Sequence, residues 1–358
     1  MRWSETGTEA WRNLTTGTTR AIGLAIVLVV LAFMTVGMDA LVIRSVYVGQ
    51  RGLVDGGGAT VRVSAKGAID AVQCLALGEV DGVRAAIALR SVSQRFRLET
   101  LPASPPSLYE VAGDATALFG GTPPDGDGVL VSSQLAEQLH AEAGDVLPVA
   151  DHADGARVRG VFQYPEDGRA SVLSAAILQP VPASAGFDEC WATVWPFDAA
   201  TEGLITTAVA LGTPTSEVTI SRLNQTFGVP RATGDALASR TTLFAPLAGG
   251  ILAAAWGFFA VRVRRVELAL ARHLGQSRRA QSVQQALEAL AWTVPSLALC
   301  FTVTVVVATR DLTAAEAAAV TASALIDYTS MASAVLSGAL IAILAISARR
   351  IHQWSRDR

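Results

Sequence analysis

The sequence predicts an α-helical membrane protein with four transmembrane helices and an α+β extracytoplasmic domain inserted between the first and second helices. Three observations carry that prediction. The 358-residue chain is 51% apolar and only 16% charged, with a mean hydropathy of +0.39, against about 25% charge in a typical soluble chain. Four stretches are apolar and long enough to cross ~30 Å of hydrocarbon. Arginines gather at one end of those stretches, as the positive-inside rule requires of cytoplasmic segments. The same composition excludes a disordered chain, which needs high charge and few apolar residues. A net charge of −3 supplies no basic field for nucleic acid.

Residues 1–20 read as a cytoplasmic amphipathic helix. Trp3, Gly7, Ala10, Trp11 and Leu14 recur at helical spacing, and Trp favours the membrane interface. Residues 21–43 form the first span, uncharged from Ala21 to Met38 and resuming after Asp39. Asp39 reads as an interfacial residue at the outer edge. A cleaved signal peptide is the competing reading of this span, but no small-x-small cleavage site stands near Gly37–Ala40. Residues 44–240 are the extracytoplasmic domain, interrupted throughout by charge, Pro and Gly. Within it, residues 59–65, Gly128 to Ser132 and Ala156 to Phe162 read as strands. Ser132 to Ala143 reads as a helix with Ser132 or Ser133 as its cap and Gly144–Asp145 as its stop. Pro102–Pro106 and Pro123–Pro124 read as loops. The remaining segments are a second span at 241–261, a cytoplasmic loop at 262–288, a third span at 289–309, a short external loop at 310–327, a fourth span at 328–348 and a cytoplasmic tail at 349–358.

Orientation follows from the arginines. Arg2, Arg12 and Arg20 precede the first span; Arg262, Arg264, Arg265, Arg272, Arg278 and Arg279 fill the 262–288 loop; Arg349, Arg350, Arg356 and Arg358 end the chain. The 310–327 loop has Arg310 against Asp311, Glu316 and Asp327. Both termini are therefore expected in the cytoplasm of a bacterial cell, with the chain in its inner or plasma membrane.

Few residues offer chemistry. The one lysine, Lys66, is followed by Gly67, so no G-K-[ST] phosphate cradle exists. No G-x-S-x-G, H-E-x-x-H or C-x-x-C occurs. Asp151, His152 and Asp154 lie in a Gly-flanked turn, and His140 is isolated, so no metal site is expected. Glu166 and Asp167 read as surface. Cys300 falls inside the third span. Cys74 and Cys190 share the exported domain, where disulfides persist, and are the candidate disulfide; two free buried thiols are the alternative.

The 262–290 segment carries the strongest signal. Val263, Val266, Leu270 and Leu274 form an apolar stripe at helical spacing, flanked by Arg264, Arg265 and Glu267. Gly275 occupies the position that ends a helix, and Ser277 can cap the next. The second span is thus expected to continue into the cytoplasm, turn at Gly275–Gln276 and return. An anchor for topology needs arginines but no such stripe or turn. A docking surface for a partner groove needs both, with Arg264 and Arg272 as outward charges.

This pattern, Arg264, Arg265, Glu267, Arg272, Gly275, Ser277, Arg278 and Arg279, resembles the cytoplasmic loop of MacB/FtsX-type ABC transporter permeases, the type VII or mechanotransmission class. The span order resembles that family's too, as does the membrane-surface helix before the first span. Residues 128–149 followed by 157–162 resemble its periplasmic core. Residues 163–240, including FDECWATVWPFD at 187–198, carry no such likeness, and His273 replaces a more usual small apolar residue. The resemblance implies a non-catalytic membrane subunit with no cofactor of its own. ATP and Mg would be bound by a partner ATPase, present in two copies. A second permease chain, as homo- or heterodimer, would complete the assembly, and the 262–279 segment would sit on the ATPase. It further implies mechanical work outside the membrane, on an amphiphile, peptide or lipoprotein, rather than passage through a polar cavity. The near absence of ionisable residues in the spans agrees with that. Two competing readings keep the architecture: a transmembrane regulator of a cell-wall hydrolase, and a membrane-anchored sensor or scaffold without an ATPase.

Overall fold

A computed structural model describes residues 3–17, 19–92, 97–101, 104–121, 126–150 and 152–346. The arginines of the C-terminal tail and Asp151 lie outside them, as do the side chains of Trp3, Gly7, His152 and Asp154. The chain divides into two units: Met1–Val48 with Ala236–Arg358, and Gly49–Asp235.

In chain order, the first unit begins with α1 (Trp3–Thr15) and α2 (Ala21–Ala32). A π-helical turn at Phe33–Gly37 leads into α3 (Met38–Asp55). From Ala21 to Asp55 these run as one 35-residue helix. The helix was expected to leave its apolar stretch at Ile43. It continues because residues 44–55 hold no Pro, and it stops at Gly56–Gly58, where Gly57 takes φ +78.

The Gly49–Asp235 unit contains β1 (Thr60–Asp70), α4 (Ala71–Ala76), β2 (Val83–Ser91), β3 (Ser107–Ala112), α5 (Ala115–Phe119), β4 (Val129–Ser132), α6 (Ser133–Leu139), β5 (Val146–Val149), β6 (His152–Phe162), β7 (Ala176–Pro180), β8 (Ala185–Val194), α7 (Ala199–Gly203) and β9 (Thr219–Arg222). The strands form a nine-stranded mixed sheet in the order β5-β6-β4-β7-β3-β2-β8-β1-β9. Pairings β3–β7 and β4–β6 are parallel, the others antiparallel. The unassigned FDECWATVWPFD segment supplies most of β8, a central strand between β1 and β2. Its alternation is masked because Cys190 to Val194 are all buried, the pattern of a strand covered on both faces. Trp191, Phe162 and Tyr164 pack with Ile87 and Leu130 in one apolar cluster, and Val61, Val63, Phe187 and Ile205 in another. The helix expected over 132–143 ends at Leu139. Ser132 caps it by accepting from Leu135 N–H (3.4 Å), and His140 closes it at φ 52, before the glycine expected to do so.

The chain then returns to the first unit through α8 (Thr233–Ala238), α9 (Ala245–Arg262), α10 (Arg265–His273), α11 (Arg278–Ala308) and α12 (Ala314–Ala345). Among the described residues four helices are long and apolar enough to cross a membrane: Ala21–Asp55, Ala245–Arg262, Arg278–Ala308 and Ala314–Ala345. The last begins inside the segment read as the 310–327 loop. Thr313 and Glu316 form a capping box there, and the Ala-rich run after it favours helix. Helix α9 presents Gly249, Ala253, Gly257 and Val261 as its buried face. A Cβ at Gly257 would lie 2.1 Å from the Val335 carbonyl oxygen, and one at Gly338 would lie 1.9 Å from that of Ala254. Only glycine permits this approach of α9 and α12.

Candidate coupling site

Helix α9 ends at Arg262, and the backbone breaks at Arg264 (φ −96, ψ 14) before α10 starts. The expectation of one continuous helix from span to turn is corrected there. After the break, Leu268 and Ala269 are the buried face of α10. The turn is a Schellman motif: Gly275 (φ +98) donates its N–H to Arg272 O (3.0 Å) and Gln276 to Ala271 O (3.0 Å). Ser277 then caps α11, its hydroxyl accepting from Ala280 N–H at 3.2 Å.

Of the apolar stripe read from the sequence, three residues face outward and Val266 is half-buried. Val263 is 47% exposed, Leu270 56% and Leu274 82%. Two arginines read as outward charges face inward instead. The Arg264 side chain, 11% exposed, donates to Glu288 Oε2 at 2.5 Å and to Glu267 Oε2 at 3.1 Å. Arg272 donates to Gln281 Oε1 (2.6 Å) and to the carbonyls of Ile346 (2.5 Å) and Ile343 (3.0 Å). Ile343 lies in the last turn of α12 and Ile346 is the residue that follows it. Ile343 O also accepts from Ile346 N–H (3.2 Å), so Arg272 adds donors at a helix end short of them. Burial, with the nearby Arg278 charge second, lowers the Arg272 pKa from its ordinary value. Arg265 is half-buried, while Glu267, Gly275, Ser277, Arg278 and Arg279 are exposed.

Beneath the loop lies a polar layer that the sequence reading missed. Gln281, Gln284, Gln285 and Glu288 of α11 are all buried. Glu288 accepts four hydrogen bonds. Asn13 (2.7 Å) and Gln284 (3.1 Å) donate to Oε1, and Arg264 (2.5 Å) and Gln285 (3.1 Å) donate to Oε2. Gln281 donates to Leu268 O at 2.8 Å, and Gln276 donates to Gln284 Oε1 at 2.8 Å. A carboxylate has about four acceptor sites, and here all four are used. The available signal was the spacing i, i+3, i+4, i+7 of these four residues, the stripe of an inward face. Its polarity disguised it.

At the other end of α9, Asp39 is 1% exposed. Arg240 donates to both its oxygens (2.8 and 3.2 Å), and Thr242 Oγ1 donates to Oδ1 at 2.5 Å. Asp39 is therefore a buried partner and not the interfacial residue expected, because an arginine distant in sequence reaches it. Hydrogen bonding to Asp39 raises the Arg240 pKa. In the sheet unit Cys74 and Cys190 form a disulfide (S–S 1.98 Å) across a separation of 116 residues. Cys300 is a buried free thiol. His140 Nδ1 lies 2.8 Å from Glu137 O, and among the described residues no cluster of metal-ligating side chains occurs.

No family model and no curated protein matches the chain. Among solved structures it is similar to the periplasmic region of MacB from Actinobacillus actinomycetemcomitans. The identity is 10% and the TM-score 0.35, over 48% of this chain and 91% of that one. So distant a likeness carries no functional assignment for this chain.

Proposed function

We propose that the chain is the membrane subunit of an ABC transporter complex, and that α10 with its flanking turns is where a separate cytoplasmic ATPase docks. The observation that carries the reading is the two-sidedness of α10. The outer side of α10 and its flanking turns leaves Leu270, with Val263 before the helix and Leu274 after it, exposed near Arg278 and Arg279, while its inner face is tied to α11 and α12. An exposed apolar stripe with a basic rim suits insertion into a partner groove. A helix held by buried hydrogen bonds passes a push to what it is bonded to. The arginine distribution supports a topology with this loop and both termini in the cytoplasm and the 44–240 domain outside, in a bacterial inner or plasma membrane.

In this reading the chain is non-catalytic. Two ATPase copies bind ATP and Mg and pair with this chain and a second permease chain. Closure of the ATPases moves α10, and the spans adjoining residues 44–240 carry that motion to the outer domain. The work is export or extraction of an amphiphile, peptide or lipoprotein.

The test is a mild-detergent pull-down of the tagged full chain, with mass spectrometry of co-purifying proteins. An ABC ATPase in stoichiometric amount is expected, and Leu270→Asp with Leu274→Asp should remove it while the chain stays inserted. Both positions face outward, so their loss separates docking from folding. Absence of any ATPase with the unmodified chain would leave a sensor or scaffold.

A further inference from the structure

We infer that α1 is part of the coupling device, clamped to α10 through Glu288 so that the two move together. Asn13 of α1 and Arg264 at the start of α10 donate to different oxygens of the same buried carboxylate, at 2.7 and 2.5 Å. Gln284 and Gln285 take the remaining acceptor sites. The carboxylate is 3% exposed, so water cannot readily replace a donor that leaves. Displacing Arg264 strips a buried charge of its only cation among these four donors, a strongly unfavourable state. The Asn13 bond must then strengthen, shift or break. Either helix therefore senses the position of the other.

The rest of α1 fits such a strap. Ala10 is 3% exposed against the bundle, whereas Trp11 is 69% exposed, so one face is held and the other is free for the membrane interface. Trp256 Nε1 also donates to Leu24 O at 3.0 Å, which ties α9 to the start of the helix after α1. Asn13 is a positioning residue here: it acts only through Glu288. It is also the safest member to remove, because Arg264, Gln284 and Gln285 remain on the carboxylate and keep its charge paired.

The test has two arms. The first uses the full chain in nanodiscs, with a nitroxide on Trp11→Cys in a Cys300→Ala background. Asn13→Ala should shorten the label's rotational correlation time at least two-fold, Asn13→Asp should do so at least as strongly by placing like charges together, and Asn13→Gln should restore part of the immobilisation. Arg12→Ala, which removes a 69% exposed side chain paired with Glu9, should leave it unchanged. An Asn13→Ala label as immobile as the parent's would overturn the clamp.

The second arm rests on the proposed function and uses the complex with its co-purified ATPase. Asn13→Ala should lower permease-dependent stimulation of ATP turnover several-fold at unchanged ATPase stoichiometry. Unchanged stimulation would show that α1 plays no part in coupling. With no ATPase on the unmodified chain the proposed function falls, and the first arm still decides whether α1 and α10 are joined.

Discussion

In the sheet unit the largest fully buried side chains, Trp191, Tyr164, Phe162 and Phe187, fill the space against nine strands. In the helical unit the tightest contact is made by Gly257 and Gly338, which have no side chain. The difference is compatible with a sheet unit packed from water and a helical unit whose four long apolar helices suit a membrane. Water drives apolar side chains together in a soluble unit. Between helices in lipid that drive is missing, and close backbone approach with polar anchors takes its place. The helical unit keeps its anchors near the two ends of α9: Asp39 with Arg240 and Thr242 at one, Glu288 with Asn13 and Arg264 at the other. The Asp39 anchor joins the first long helix to the residues just before α9. The Glu288 anchor gathers α1, α10 and α11, and Arg272 adds α12. In the proposed function, the end that collects four helices receives the force and the end at Asp39 passes it on.

The contrast breaks most severely at Gly338. Gly338→Leu places a side chain where a Cβ alone would sit 1.9 Å from a backbone oxygen of α9. No rotamer relieves that, so the helices must separate. We expect a loss of at least about 3 kcal/mol, at the upper end of overpacking costs, read as loss of the monodisperse peak in detergent chromatography. A wild-type elution profile and unchanged thermal stability would show that α9 and α12 do not depend on this contact.

Legibility in the sequence divides along the same line. The apolar runs named four spans because lipid tolerates little else, and Gly275 and Ser277 marked the turn because helix ends have few chemical solutions. The direction in which Arg264 and Arg272 point was not legible. An arginine on a short amphipathic helix looks identical whether it meets water or a buried glutamate distant in sequence. The four polar residues from Gln281 to Glu288 hid for the same reason, since polarity usually marks an outward face. Strand β8 hid because burial on both faces removes alternation. The left-handed close of α6 at His140 departs from the preference for glycine at such positions, and the imidazole, with Nδ1 2.8 Å from Glu137 O, serves one of the helix's last carbonyls.

The sheet unit's counterpart to the glycine contact is covalent. Cys74–Cys190 spans 116 residues, so its loss frees a long loop in the unfolded chain. The double change Cys74→Ser with Cys190→Ser should cost about 3 kcal/mol, within the usual 2–5 kcal/mol for a native disulfide. Protease resistance of residues 49–235 in the full chain under rising denaturant measures it, and the helical unit should keep its own transition. Alkylation of both thiols in the unreduced native protein would reject the bridge.

The smallest effect belongs to a pair in which one charge is buried and the other partly exposed. Arg169 donates to both oxygens of Asp167, at 2.8 and 2.7 Å, and to Asp55 O at 3.0 Å. Hydrogen bonding to Arg169 lowers the Asp167 pKa below its ordinary 3.8. A carboxylate with a depressed native pKa binds protons more readily when unfolded. Its stabilisation is therefore fully present above pH ~4 and is lost as pH falls through the native value. The Asp167 side chain is 31% exposed but that of Arg169 only 4%, so the pair is partly screened and is worth more than the roughly 0–1 kcal/mol of a fully exposed bridge. Asp167→Asn should lower stability at pH 7 by about 1–2 kcal/mol, because the Arg169 guanidinium loses its countercharge while keeping its bond to Asp55 O. The two proteins' melting temperatures should converge as the pH is taken below 4. A gap that persists or widens in acid would mean that Asp167 acts through the shape of its turn and not through its charge. A gap of several kcal/mol at pH 7 would put this pair in the class of Glu288, and the contrast between the two units would then lie in burial alone and not in the kind of bond each one uses.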